Sequence, residues 1–158
     1  MKKYEFTGET KRVELWNRTA TLHRIKATVE FGFVKVGELG GWIEKEENLS
    51  HEGKAWVCGD AEVCDDANVW GNAKVCGDAE VFLASHVLVM GSVGSRNDFT
   101  TFFRDKDNEI TVKCGCFLGK IDKFLEKVTQ THGNNKYALV YRAAVEVAKL
   151  QIELTERK

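Results

Sequence analysis

The chain is expected to fold as a mainly β solenoid, a left-handed parallel β-helix with an N-terminal β cap and a C-terminal ββαα module. Three observations lead there. Valine recurs every six residues, at Val57, Val63, Val69, Val75, Val81, Val87 and Val93. A small residue follows four places later, at Ala61, Ala67, Ala73, Ala79, Ser85 and Gly91. Between them stand Gly or Asp with Asp or Asn, at Gly59-Asp60, Asp65-Asp66, Gly71-Asn72 and Gly77-Asp78.

Each feature has a physical reason. A very short strand centred on valine turns that side chain inward and its neighbours outward. The following corner needs residues that tolerate tight or left-handed backbone angles. Three such sides would close a coil of 18 residues, so positions 18 apart would stack with strands about 4.8 Å apart. The inward columns would then be Val57–Val75–Val93, Val63–Val81 and Val69–Val87. The outward columns would be Cys58–Cys76, Cys64–Phe82 and Trp70–Leu88, unusually apolar for a solvated wall. Two explanations stand side by side. Sister subunits of a homotrimer could cover these six residues, or the flanking segments could cover them within one chain.

The repeat is assigned to residues 38–93. Residues 1–37 read as a capping hairpin, with Val13–Trp16 and Leu22–Val29 alternating on either side of the turn Asn17–Ala20. Gly37–Glu44 enters the repeat, and Ile43 and Leu49 stand six apart. Residues 94–158 read as a separate α+β module. Phe99–Arg104 and Ile110–Phe117 are strand-like, joined by the turn Asp105–Asn108. A helix near Lys120–Thr131 puts Ile121, Phe124, Leu125 and Val128 on one face and stops at Gly133-Asn134. A second, near Asn135–Leu154, aligns Tyr137, Tyr141, Ala144, Ala148 and Ile152.

The pattern resembles the hexapeptide-repeat, left-handed β-helix superfamily, which includes many trimeric acyltransferases and the gamma-class carbonic anhydrases. Gly37-Glu-Leu-Gly-Gly-Trp-Ile-Glu, Gly94-Ser-Arg-Asn-Asp-Phe-Thr-Thr-Phe-Phe-Arg, Val112-Lys-Cys-Gly-Cys-Phe and His132-Gly-Asn-Asn-Lys-Tyr resemble uncharacterised phage- and prophage-encoded hexapeptide-repeat proteins. The resemblance implies a phage or prophage origin, and with that origin a counter-defence role.

Composition narrows the partners. The net charge of −1 conceals about +4 over residues 1–37, −8 over 38–93 and +3 over 94–158. An acidic middle repels a phosphate backbone, so duplex nucleic acid is not expected as a partner. No apolar run is long enough for a membrane span and no hydrophobic signal follows Met1-Lys-Lys, so the expected location is the cytoplasm, that of the host cell if phage-encoded. Five cysteines, an odd number, suit a reducing compartment.

An acyltransferase would need a histidine base, and His51 and His86 are the candidates. A zinc site would need converging histidines, whereas His23, His51, His86 and His132 are scattered. Cys58 and Cys76 would face each other across one coil, and Cys114 and Cys116 would share a strand face as buried thiols. Hence no catalytic residue, metal or cofactor is expected.

The cluster that suggests binding is Ser95, Arg96, Asn97, Thr100, Thr101, Arg104, Lys113, His132 and Tyr137. Its cations and hydroxyls beside a Gly-Ser turn suit an anionic, nucleotide-like ligand. The competing account pairs Arg96 and Arg104 with Asp98, Asp105 or Asp107 at the surface. The expected function is a non-catalytic trimeric binding protein whose C-terminal module recognises a host protein or a small anion. The alternatives are a hexapeptide-repeat acyltransferase and a structural or virion trimer.

Overall fold

A computed structural model describes residues 2–95 and 98–154. Eleven strands and two helices follow one another as β1 (Tyr4–Glu14), β2 (Thr19–Ala27), β3 (Leu39–Ile43), β4 (Trp56–Val57), β5 (Glu62–Val63), β6 (Lys74–Val75), β7 (Glu80–Val81), β8 (Val87–Val93), β9 (Asp98–Arg104), β10 (Ile110–Cys114), β11 (Phe117–Lys120), α1 (Ile121–His132) and α2 (Lys136–Gln151). They build a five-stranded mixed sheet, β1-β2-β3-β5-β7, a two-stranded parallel sheet, β4-β6, and a four-stranded antiparallel sheet, β11-β10-β9-β8.

This arrangement overturns the expected left-handed β-helix and mainly β solenoid fold. Antiparallel pairing dominates, and the N-terminal hairpin is no separate cap: β2 pairs with β3 in the same sheet that continues into β5 and β7. The period itself is real but short-lived. Val57 lies opposite Val75, and Val63 opposite Val81, each 18 residues on. Val57, Val63, Val69, Val75 and Val81 are fully buried, together with the small residues Ala61, Ala67, Ala73 and Ala79. Six-residue corners at Gly59, Asp65, Gly71 and Gly77 all take positive φ, the left-handed conformation that the Gly/Asp pattern foretells.

The period ends for a local reason. After Val81 the segment Phe82-Leu-Ala-Ser-His holds no corner residue. Val87–Val93 is then long enough to pair as a continuous ladder with β9, where Val87 faces Phe103 and Val89 faces Thr101. The columns Val69–Val87 and Val57–Val75–Val93 are therefore interrupted at their last members.

The expected outward columns are mostly covered within the chain. Cys64 and Phe82 are buried with Ala20, Leu22 and Trp42, and Val13 and Leu15 of the hairpin pack on them. Leu88 packs into the helical core. Cys76 is buried and Cys58 is half-buried; the two are joined as a disulfide. Stacking at 18 residues brings their Cα atoms to 4.6 Å, inside the range a disulfide spans. Trp70 is the most exposed of the six, at 50%, and stands edge-on to Phe99. The covers are thus found within the chain. Among the described residues, no helix is long and apolar enough to cross a membrane.

The C-terminal half follows its pattern more closely. Phe124 and Val128 of α1 and Tyr141, Ala144, Val145 and Ala148 of α2 cover one face of the antiparallel sheet through Phe102 and Val112. Tyr137 departs from the expected stripe and is exposed. Gly133 ends α1 at φ 61°, and Asn135 caps α2 by accepting from the Ala138 amide at 3.1 Å. On the opposite face, Phe103 enters the core formed by the buried valines. The antiparallel sheet is therefore a wall shared by two cores.

Candidate functional site

The shared wall creates a pocket where the two sheet types meet. β6 brings Lys74 alongside β9, and the Lys74 amide donates to Thr101 Oγ1 at 3.1 Å. Thr101 stands opposite Lys113 in the β9–β10 ladder, so both side chains leave on the same face. The loop before β4 adds Lys54, whose amide donates to Asn72 Oδ1 at 3.4 Å. A tight turn, closed by reciprocal Phe31–Val34 hydrogen bonds of 3.1 and 2.8 Å, presents Gly32 and Phe33. These residues, with Phe99, Asp98 and Gly115, line a cavity of about 190 Å³.

Three lysines, Lys54, Lys74 and Lys113, line this cavity. Among the described residues none of the three forms an ion pair. Among the described lining residues Asp98 is the one carboxylate, and its Oδ1 accepts the Phe99 amide at 2.7 Å. Lys113 Nζ instead donates to the Gly115 carbonyl at 2.6 Å. Burial lowers the Lys113 pKa, and the Lys74 charge adds to the shift. Lys74 Nζ lies 5.1 Å from the centroid of the Phe33 ring, a residue 89% exposed. Exposure of that extent leaves a ring face available to a ligand.

Phe99 forms the firmer wall. A Cβ placed on Gly71 would come within 2.7 Å of Phe99 Cε2, and one on Gly91 would also collide with the ring. The Gly71 and Gly91 positions thus leave room for Phe99 between them. Two rings, one exposed and one closely packed, therefore border a cationic pocket with an amide and a hydroxyl in its lining. Such a set can hold an anionic group and a flat hydrophobic body together.

The residues expected to form one binding rim fall in separate places. Lys113 is in the pocket. Arg104 is not: it stands three residues from Thr101, so the two-residue strand period turns it to the other face. There it is buried over the Phe82 ring at 5.1 Å, with Glu80 at 3.7 Å. Ser95 and His132 meet elsewhere, with Oγ and Nε2 3.5 Å apart. The His132 ring stacks near Tyr141 at 5.9 Å and lies 5.6 Å from Tyr137, at a cleft floored by Phe117, Phe124 and Val128. Thr100 also points to that side, donating to Cys114 Sγ at 3.4 Å. Arg96 and Asn97 lie outside the described residues.

The histidines weighed as bases are engaged. His51 accepts the Lys3 amide at Nδ1, 3.0 Å, and so presents Nε2–H to Glu46 Oε1, also 3.0 Å. His86 is buried and accepts the Phe82 amide at Nδ1, 3.0 Å. Burial lowers its pKa to about 4, which keeps it neutral near pH 7.

Compared with models of known protein families and with curated proteins, the chain matches none of them.

Sequence reasoning missed Lys54, Lys74, Asn72, Phe33 and Phe99. One signal was present. The residue preceding the repeat valine is Glu62, Asn68, Lys74 and Glu80 in successive repeats, and Lys74 alone reverses the acidic preference. Averaging charge over residues 38–93 conceals it.

Proposed function

We propose that this chain is a non-catalytic binding protein for a small, anionic, ring-bearing ligand of nucleotide type, held in the pocket of Lys54, Lys74 and Lys113. The observation that carries the reading is the convergence of three lysines, none ion-paired among the described residues, on one cavity flanked by two phenylalanine rings. Like charges held together are unfavourable until an anion neutralises them, and ligand binding would relieve that cost. Asn72 and Thr101 add polar contacts, and the Thr101 hydroxyl is already engaged by the Lys74 amide, which suits binding better than nucleophilic attack. With the phage-type resemblance, the reading extends to sequestering a small host signal in counter-defence.

Calorimetric titration with AMP and with inorganic phosphate tests it. AMP is expected to bind more tightly than phosphate, and both more weakly as salt rises. Lys74→Gln and Lys113→Gln should each weaken AMP by about tenfold, the scale of one charge-assisted hydrogen bond. Phe33→Ala should weaken AMP and leave phosphate unchanged, because only the base can stack. Absence of binding by either probe at millimolar concentration, or lysine variants that bind as wild type does, would overturn the reading.

A further inference from the structure

Lys3 is only 3% exposed, and among the described residues no carboxylate pairs with its ammonium. Nζ donates to the Ala55 carbonyl at 2.7 Å and lies 3.4 and 3.5 Å from the carbonyls of Gly53 and Glu52. It also sits 4.6 Å from the centroid of Phe31. A buried cation without a counter-ion is costly, so carbonyl dipoles and a ring face must compensate it. The groups it grips are the ones that shape the pocket. The three carbonyls flank Lys54 in sequence, and Phe31 opens the turn that presents Phe33.

We propose that Lys3 is a positioning residue for the three-lysine pocket, its ammonium pinning the 52–55 loop and the Phe31 turn so that Lys54 and Phe33 face the cavity. The proposal rests on reading that pocket as the ligand site. Its geometry also makes the pinning sensitive to protonation. Among the described residues, the ionisable groups around Lys3 are few. His51 accepts the Lys3 amide and bonds to Glu46, which also pairs with Lys2. Glu52 contributes its carbonyl, and Lys54 lines the cavity. Burial lowers the Lys3 pKa to about 8. Loss of the proton removes the attraction to the ring and one N–H donor, so the grip weakens as pH rises through that value.

Amide NMR spectra of the ligand-free protein from about pH 6.5 to 9.5 provide the test, together with the Lys3 Cε resonance. The amides of Phe33, Gly53 and Lys54 should shift together with the Lys3 Cε signal, with a midpoint near 8. In Lys3→Met that joint transition should vanish, and AMP affinity should fall about tenfold, the scale of one charged hydrogen bond. Amides that stay still while Lys3 titrates would overturn the proposal, and the wild-type titration decides this even if Lys3→Met does not fold. Should AMP bind neither protein while the joint transition is present, the ligand reading fails and the pinning stands.

Discussion

Between Val57 and Val81 a side chain's fate follows from its place in a six-residue count. Between Val87 and Lys120 it follows from its ladder partner. Lys74 and Lys113 show the difference. Lys74 projects beside the cavity because it precedes a buried valine. Lys113 reaches the same cavity because Thr101 lies opposite it. The site forms where the two rules meet, and neither periodicity contains it alone. Phe103 makes the meeting physical, since it belongs to the antiparallel strand yet is buried among the repeat valines.

If the two regions are one cooperative unit, damage at that contact should be global. Phe103→Ala is expected to cost about 3–5 kcal/mol, the usual range for a fully buried phenylalanine. Urea unfolding followed by tryptophan fluorescence and by helical circular dichroism should move together. The tryptophans all precede Trp70 inclusive and the helices begin at Ile121, so separated transitions would show two independent regions.

A smaller effect confined to the repeat is expected from reducing Cys58–Cys76. The bond spans 18 residues, and closing a loop of that length stabilises by about 3 kcal/mol in the chain-entropy account. Cys58→Ala with Cys76→Ala should lower the melting temperature as reductant does, and adding reductant to that double variant should change nothing further. A melting temperature insensitive to reductant in the wild type would remove the staple from the account.

The pH response should be of similar or lesser size, and its sign is fixed. His86 has a folded pKa lowered to about 4 from 6.5. The unfolded chain therefore binds the proton first, so the stability from neutral His86 is present above pH 6.5 and is lost as pH falls towards 4. The full loss is at most roughly 3.5 kcal/mol, from about 1.4 kcal/mol per unit. Urea midpoints at pH 7 and pH 5 should differ in wild type and differ less in His86→Gln. Equal pH dependence in both would show that another group is responsible. The smallest effect belongs to Trp70→Ser, expected to cost under about 1 kcal/mol because half the side chain is already in solvent.

The elements most legible in the sequence are those set by local rules. The valine and alanine positions from Val57 to Val81, the Gly133 stop and, Tyr137 excepted, the buried faces of both helices need only near neighbours, and the structure places them as the periodicity implies. The solenoid expectation failed because an 18-residue spacing says which positions stack but not where stacking ends. Phe82–His86 ends it by lacking a corner residue, a negative signal easily passed over. β1 was underestimated because Tyr4–Arg12 is too polar to show an apolar alternation; its outer residues are exposed and its ladder is supplied by β2. The candidate site was legible only at Lys113 and Thr101. Phe33 and Lys54 enter through loops whose positions depend on Lys3, far away in sequence, and no local pattern reports that contact.

The central claim is that ligand recognition sits at the junction of the two regions and away from the Ser95–His132 cleft. Chemical-shift mapping with AMP tests it most directly. The account predicts perturbations centred on Phe33, Lys54, Lys74, Thr101 and Lys113, with Ser95, His132 and Tyr137 unmoved. Perturbations centred on Ser95, His132 and Tyr137, with the three lysines silent, would contradict it.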